Sequence, residues 1–367
     1  MALTFRGSGV FNYDVLQRNR PANPQAYAGQ KFTAQSESAY FTLTVGLGSI
    51  GLPNSKLIVG GITYGTTWPA SQGHSEGVPK FDKLAYYQSF LNGAVTIKTG
   101  YLVNYLEFIG VFTGGSPLLT TGLSSLVPIE VGLSADPAPS PTFNLTLNGP
   151  DGLYFKGGVQ RSTSPLGQEY EAAHDGPVNL RFRADRARAL YIAEFGLQRQ
   201  ATEDRHSIWV RGGVLYNTSD YAKFTDGTYG KNYAVFGLAD YQISKPYPSM
   251  PYRGIFAGAS VFYAKPNVNV ISQYYEARLY SVGLFESRPA DGITLNINHS
   301  SYSNAARMAY TAQGITTPSG QLGVTVSYTA HVMRGFYISP NLSYVHHPAF
   351  GDYRDAVVIG VNLFANL

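Results

Sequence analysis

The sequence predicts an all-β fold: a transmembrane antiparallel β-barrel of about sixteen strands, with short turns at one end and long loops at the other. Three observations predict it. Apolar residues alternate with polar or small ones over most of the 367 residues. The connections between alternating segments sort into short and long ones that take turns along the chain. No run is long and apolar enough for a membrane helix. Leu322-Gly-Val-Thr-Val-Ser-Tyr-Thr-Ala330 shows the alternation: Leu322, Val324, Val326, Tyr328 and Ala330 share one strand face, and Gly323, Thr325, Ser327 and Thr329 the other. Two-faced strands in such number close into a barrel in lipid with water inside, and such a barrel is usually a pore.

Composition agrees. Strands of about 10 residues plus their connections divide this length into about sixteen. Forty glycines and 28 tyrosines suit closely paired strands with aromatic residues at the membrane interfaces. Only 14% of residues are charged, below the usual quarter or so. A net charge of +4 from scattered Lys and Arg gives no reason to expect nucleic acid as a partner. Without cysteine there is neither disulfide nor thiol chemistry. Met1-Ala-Leu-Thr-Phe-Arg6 lacks the charged start and apolar run of a signal peptide, so a barrel reading takes this as a mature chain with an added Met1.

The expected strands are, in order, Phe5–Asp14, Glu37–Gly48, Lys56–Thr66, Phe81–Leu91, Ala94–Asn104, Pro141–Asn148, Gly152–Ser162, Leu190–Gln200, His206–Thr218, Gly230–Ser244, Tyr252–Ala264, Ile271–Glu286, Pro289–Ser300, Gln321–His331, Gly335–Val345 and Asp355–Asn366. Asn92-Gly93, Gly149-Pro-Asp151, Ser287-Arg288 and Met333-Arg334 make short links. Asn-Gly and Pro-Asp-Gly accept positive φ or preset the bend. The long links are 15–36, 67–80, 105–140, 163–189 and 301–320. This is the arrangement of short periplasmic turns and long outer loops, in one barrel domain over 1–367. Loops 105–140 and 163–189 either fold inward and narrow the lumen or decorate the outer rim.

One parity of each strand is greasy. Leu153, Phe155, Gly157 and Val159 should face lipid, as should Tyr191, Ala193, Phe195 and Leu197; Ile208, Val210, Val214 and Tyr216; and Ala277, Leu279 and Phe285. The last strand places Val357, Ile359, Val361, Leu363, Ala365 and Leu367 on one such parity. A cation at mid-bilayer on the lipid face costs about 2–4 kcal/mol, so Lys98, Lys156, Arg211 and Arg278 fix which parity faces water.

Three stretches, Ala85–Gly93 with Thr96–Gly100, Tyr280–Asp291 and Ile338–Pro348 with Asp355–Asn362, resemble the carbohydrate-selective porins of bacterial outer membranes, the OprB type. Ala85-Tyr-Tyr-Gln-Ser-Phe-Leu-Asn-Gly93 followed by Thr96-Ile-Lys-Thr-Gly100 is similar to that family's aromatic–Gln–Phe–Gly hairpin and basic-x-Gly strand. Tyr280-Ser-Val-Gly-Leu-Phe-Glu-Ser-Arg-Pro-Ala-Asp291 holds the most specific element, Arg288-Pro289-x-Asp291. Ile338-Ser-Pro-Asn-Leu-Ser-Tyr-Val-His-His-Pro348, then Asp355-Ala-Val-Val-Ile-Gly-Val-Asn362, resembles the family's closing strands. The likeness runs from about residue 80 to the end. It implies an outer-membrane barrel of roughly sixteen strands passing mono- and oligosaccharides by facilitated diffusion.

A sugar presents hydroxyls and flat C–H faces, so a selective pore wants charged hydrogen-bonding groups beside aromatic rings, binding weakly enough to release. Trp209 is the candidate stacking platform, with Arg211 and Glu194 as hydroxyl partners. Glu276 and Arg278 form a second inward pair; Lys98, Lys156, Gln160 and Asp240 complete the candidate lining. Each of these charges could instead cross-pair over the sheet and stiffen it. Arg288 and Asp291 fit a turn lock better than a sugar contact.

Mixed signs argue against a one-sign ring for anions or for a charged polymer on export. A general-diffusion pore, a polysaccharide exporter and a soluble β-sandwich are the other readings, and the last would need polar outer faces. His299-Ser300-Ser301 invites an outer-membrane lipid hydrolase, but the spacing is off and no catalytic residue is assigned. His346-His347 is a weak metal pair, and no metal spacing, phosphate loop or nucleotide fingerprint stands out, so no cofactor is expected. The expected partners are small sugars, outer-membrane lipids and lipopolysaccharide; monomer and homo-oligomer are both open.

Overall fold

A strand satisfies none of its backbone groups internally, so two-faced strands bounded by tight turns pair with their neighbours until the last meets the first. In this computed structural model, which describes residues 1–16, 18, 33–63, 79–109, 126–136, 138–167, 170, 171, 174, 178, 180–347 and 353–367, they do so as one closed antiparallel barrel. The strands are β1 (Ala2–Asp14), β2 (Thr33–Gly46), β3 (Ser55–Thr63), β4 (Lys80–Phe90), β5 (Val95–Leu102), β6 (Ser140–Asn148), β7 (Leu153–Arg161), β8 (Ala189–Arg199), β9 (Ile208–Ala222), β10 (Tyr229–Ser244), β11 (Gly254–Ala264), β12 (Ile271–Val282), β13 (Gly292–Tyr302), β14 (Gly320–Met333), β15 (Phe336–His346) and β16 (Ala356–Asn366). Each pairs with its sequence neighbours, and β1 pairs with β16. Phe5 N donates to Leu367 O at 2.9 Å and Leu367 N to Phe5 O at 2.8 Å, which joins the two ends of the chain.

All sixteen expected strands are present with shifted ends. The connection whose length differs most is that between β12 and β13, where the turn spans 283–291 rather than Ser287-Arg288 alone. Gly283 takes φ +57 and its N–H donates to Asp291 O at 2.7 Å, so the ladder stops at Val282. Arg288 pairs with Asp291 at 2.7 Å, Tyr328 donates to the same carboxylate, and His331 N donates to it at 2.9 Å. The Arg288–Asp291 element is therefore a turn lock. At the β6–β7 turn Asp151 takes φ 54 and Gly152 φ 82; a Cβ on Gly152 would lie 2.1 Å from Gln198 O.

At the opposite end, the strand ends expected at 64–66 and most of the long links 15–36 and 67–80 lie outside the described residues. The link 301–320 contains a helix not anticipated from the sequence, Asn304–Thr311, capped where Ser303 Oγ accepts from Ala306 N at 3.1 Å. It is too short to show a helical period beside strong strand patterns. Among the described residues no helix is long and apolar enough to cross a membrane.

Parity follows the expected assignment. Phe195 is 61% exposed and Val214 50% on the outer surface, while Glu194 is 1% exposed on the inner one. Lys156, Arg211 and Arg278 all belong to the inward parity, and Val326, Leu342 and Ile359 to the outward one.

Val214 pairs with Ala193 and Val235 near the middle of its strand. Val214→Arg should cost about 2–4 kcal/mol in reversible unfolding from lipid vesicles, the price of a cation in hydrocarbon at mid-bilayer. A cost near zero would place water, not lipid, on this face.

Candidate pore-lining site

The described parts of segment 103–139 lie inside the barrel. Two short helical stretches, α1 (Tyr105–Phe108) and α2 (Leu126–Glu130), and the residues that follow them bring Phe108, Ile109, Val127, Val131 and Leu133 into one cluster with Leu190, Ile192, Leu215, Phe236 and Tyr274 of the inner wall. The inner wall of β8 to β12 is thus partly apolar because it carries a packed segment rather than water. The described residues of loop 105–140 include Ile109, Val131 and Leu133, all packed in that apolar cluster.

A segment without regular structure exposes backbone groups that a dry interface must satisfy. The wall supplies the partners. Arg211 donates to Ile109 O at 2.7 Å and Asn217 to Val131 O at 2.6 Å. Gln160 donates to Gly132 O at 3.3 Å and accepts from Ser134 Oγ at 3.2 Å. Asn104 and Asn144 exchange side-chain hydrogen bonds at 2.6 and 3.4 Å. Ile271 N donates to Glu130 Oε2 at 3.0 Å.

Next to this segment runs a row of polar and aromatic side chains. Lys98 pairs with Glu107 of α1 at 2.5 Å; Lys156 donates to Glu107 O at 3.1 Å and lies 3.6 Å from Glu194. Tyr154 donates to Glu194 at 2.9 Å, and Trp209 Nε1 donates to the Tyr154 hydroxyl at 3.0 Å. The Arg211 guanidinium stacks 3.6 Å from the Trp209 ring centre. Further round, Arg278 grips Asp240 with two bonds of 2.9 and 2.6 Å, and also reaches Glu276 at 2.8 Å and Ser260 at 2.7 Å. Tyr280 donates to Asp240 at 3.2 Å. Gly258 stands between the two: a Cβ there would lie 2.4 Å from Asp240 Oδ1 and 2.6 Å from Arg278 Nε.

The structure divides the nine candidate residues by accessibility. Arg211, Glu194, Glu276, Arg278 and Gln160 are buried. Arg278 bonds to Glu276 on its own strand and, across strands, to Asp240 of β10 and Ser260 of β11, while Gln160 bonds to the inward segment. Trp209 already carries Arg211 on one ring face, so it is not an open platform on that side. Lys98 and Lys156 keep side chains 30% and 25% exposed around a narrow cleft with Glu107 and Asn144. Asp240 is partly open beside Tyr280. Glu107 and Tyr154 were not anticipated as partners. Strand parity places Tyr154 inward, but no strand pattern reaches Glu107 on an irregular segment. His299 and Ser301, 3.3 Å apart, lie on the other parity from buried Asn298 and Ser300, away from the lumen.

The inward segment carries two half-buried carboxylates against the wall, Glu130 and Asp136. Burial pushes Glu130 up to about 7, against the hydrogen bonds from Ile271 and Val270. Burial, then repulsion from Asp82, pushes Asp136 up to about 6, against the hydroxyl of Tyr105. Both values are raised on seating. Their contribution is therefore fully present below the ordinary carboxylate range and is lost as pH rises through about 6 and 7. Amide exchange of Val127, Val131 and Leu133 should be faster relative to the strands at pH 8 than at pH 5, after correction for intrinsic exchange. Glu130→Gln should flatten that dependence; an unchanged profile in the variant would remove Glu130 as its source.

A family model described as "Carbohydrate-selective porin, OprB family" matches residues 81–366. No curated protein is similar enough in sequence to count as a relative. Among solved structures, the high-pH structure of Pseudomonas putida OprB superposes with a TM-score of 0.81 at 14% identity, covering 100% of this chain and 94% of that one. The low-pH structure of the same protein gives 0.62 at 12% identity, covering 100% and 92%. The outer membrane channel DcaP of Acinetobacter baumannii gives 0.58 at 11%, covering 100% and 96%. With the model spanning most of the chain and the barrel closed as described, this protein belongs to the OprB family of carbohydrate-selective porins.

Proposed function

We propose that this barrel sits in the outer membrane of a bacterium, loop end outward, and that mono- and oligosaccharides diffuse down their gradient past the row formed by Lys98, Glu107, Lys156, Trp209 and Asp240. The observation that carries the reading is the interleaving of charge and ring on that row. Lys156 lies 5.1 Å from the centre of the Tyr154 ring, Trp209 bonds to Tyr154, and Asp240 bonds to Tyr280. Sugar hydroxyls need donors and acceptors of both kinds, and sugar C–H faces need rings. The mixed signs leave no steep field for a single kind of ion.

In this reading Arg211 and Glu194 act from behind the row. Arg211 backs Trp209, and Glu194 orients Tyr154 and Lys156. Arg278 and Glu276 stiffen the wall that carries Asp240. Gln160 keeps the inward segment seated. No step involves bond chemistry; the channel only lowers the cost of replacing a sugar's hydration shell.

Liposomes holding the protein should swell faster in glucose than in an amino acid of similar size, and the sugar flux should saturate. A general-diffusion pore would give linear flux and no preference. Lys156→Ala should raise the half-saturating sugar concentration about tenfold, the order of a lost hydrogen bond to a charged group. Trp209→Ala should act similarly. If both variants keep wild-type saturation while remaining heat-modifiable in gels, the row is not where sugar binds.

A further inference from the structure

The outward surface of β8, β9 and β10 carries a feature that passage of sugar does not use. Tyr191, Tyr216 and Tyr233 lie directly opposite one another across the three strands, all exposed on the outward parity. Such a row marks the level where hydrocarbon gives way to headgroups. Toward the loop end, just above it, the same surface becomes cationic. Lys231, between Tyr229 and Tyr233, pairs with Asp220 at 2.6 Å, and Arg188 pairs with the other oxygen of Asp220 at 2.7 Å. Arg186 donates to the Tyr229 hydroxyl at 3.0 Å and stands over its ring at 5.4 Å. Two cations thus share the Asp220 carboxylate, and a third, Arg186, stands beside them on Tyr229.

The height of this cluster is set by strand geometry. Lys231 is two residues from Tyr233 and Asp220 four from Tyr216. With about 3.3 Å per residue and a tilt near 40°, the cluster sits about 5–10 Å above the tyrosines. That is the depth of the phosphates in a leaflet, not of bulk water. Beside it, Arg181, Arg183 and Arg186 line a cavity of about 290 Å³ together with Glu171 and with Tyr170 and Asp185, which bond to each other at 2.7 Å.

We propose that this patch is a docking surface for a phosphate-bearing glycolipid of the outer leaflet. The lipid phosphate would be held by Arg186, Arg188 and Lys231, its headgroup sugar would reach toward the Arg181–Arg183 cavity, and its chains would lie along the tyrosine row. Three features select this occupant. The net charge of the cluster is positive, a guanidinium forks onto phosphate with two bonds, and the aromatic row continues directly into the cations. A free anion in water would gain nothing from the row of tyrosines. The proposal rests on placing the barrel in the outer membrane, but not on which residues touch sugar.

The test uses the whole chain in detergent micelles, with retention of added lipid followed by native mass spectrometry. The probes are lipid A with both phosphates, lipid A with its phosphates removed, and inorganic phosphate. Wild type should retain the phosphorylated lipid at least tenfold better than the dephosphorylated one, with no competition from inorganic phosphate at equal concentration. The combined Arg186→Ala, Arg188→Ala and Lys231→Ala variant should lose about a hundredfold, from about three surface cations. Asp220→Asn, which keeps all three cations, should bind more tightly than wild type. Equal retention of the two lipids by wild type overturns the proposal even if the triple variant fails to fold. So does wild-type retention by a folded triple variant, or displacement of the lipid by inorganic phosphate. Sugar-specific swelling of liposomes by the triple variant reports separately on the pore and should be unchanged.

Discussion

Hydrocarbon accepts no unpaired backbone group, and this one constraint shapes the molecule. It is why β1 must find β16, and why Phe5 and Leu367 exchange backbone hydrogen bonds at the seam. An open edge at that place would leave a strand of unpaired N–H and C=O groups in lipid. Once the sheet closes, every side chain is assigned to lipid or to the enclosed space by its position along the strand. Turns with left-handed residues such as Asn92 and Asp151 can then be short, since nothing but direction must change at that end.

The enclosed space is not simply water. Its wall beside β8 to β12 supports an inward segment through apolar contacts, and the polar side chains at its edges are spent on that segment's backbone carbonyls. Arg211, Asn217 and Gln160 serve this use, so inward-facing polarity and sugar contact are separate properties. What remains open is a narrower set around Lys98, Glu107, Lys156 and Asp240. The side chains that hold the segment form buried hydrogen bonds with its backbone. Buried networks of this sort act as units, because removing one partner leaves the others unpaired in a poorly hydrated place.

The inward and outward surfaces also differ in how charge is handled. Inside, Arg278 is enclosed by Asp240, Glu276 and Ser260, and its charge is neutralised locally. Outside, above the tyrosine row, Arg188 and Lys231 share the single carboxylate of Asp220, and Arg186 stands beside them on Tyr229. The first arrangement is that of a wall under load; the second leaves positive charge facing the leaflet.

The strands, their parity and the alternation of short and long connections were legible from residues alone, because each is a local matter. Period two is written into Leu153 to Gln160, and a turn into Pro150-Asp-Gly152. The Arg288–Asp291 lock was legible for the same reason, its partners being three residues apart. Residue type and spacing also identified Trp209, Arg211, Glu194 and Lys156 as inward. They could not tell that Arg211 spends its guanidinium on Ile109 and Trp209, or that Glu107 stands between two lysines. Those facts depend on where an irregular segment comes to rest against strands far away in sequence. Only the closed tertiary structure decides it, because contacts across a lumen have no period and leave no trace along the chain.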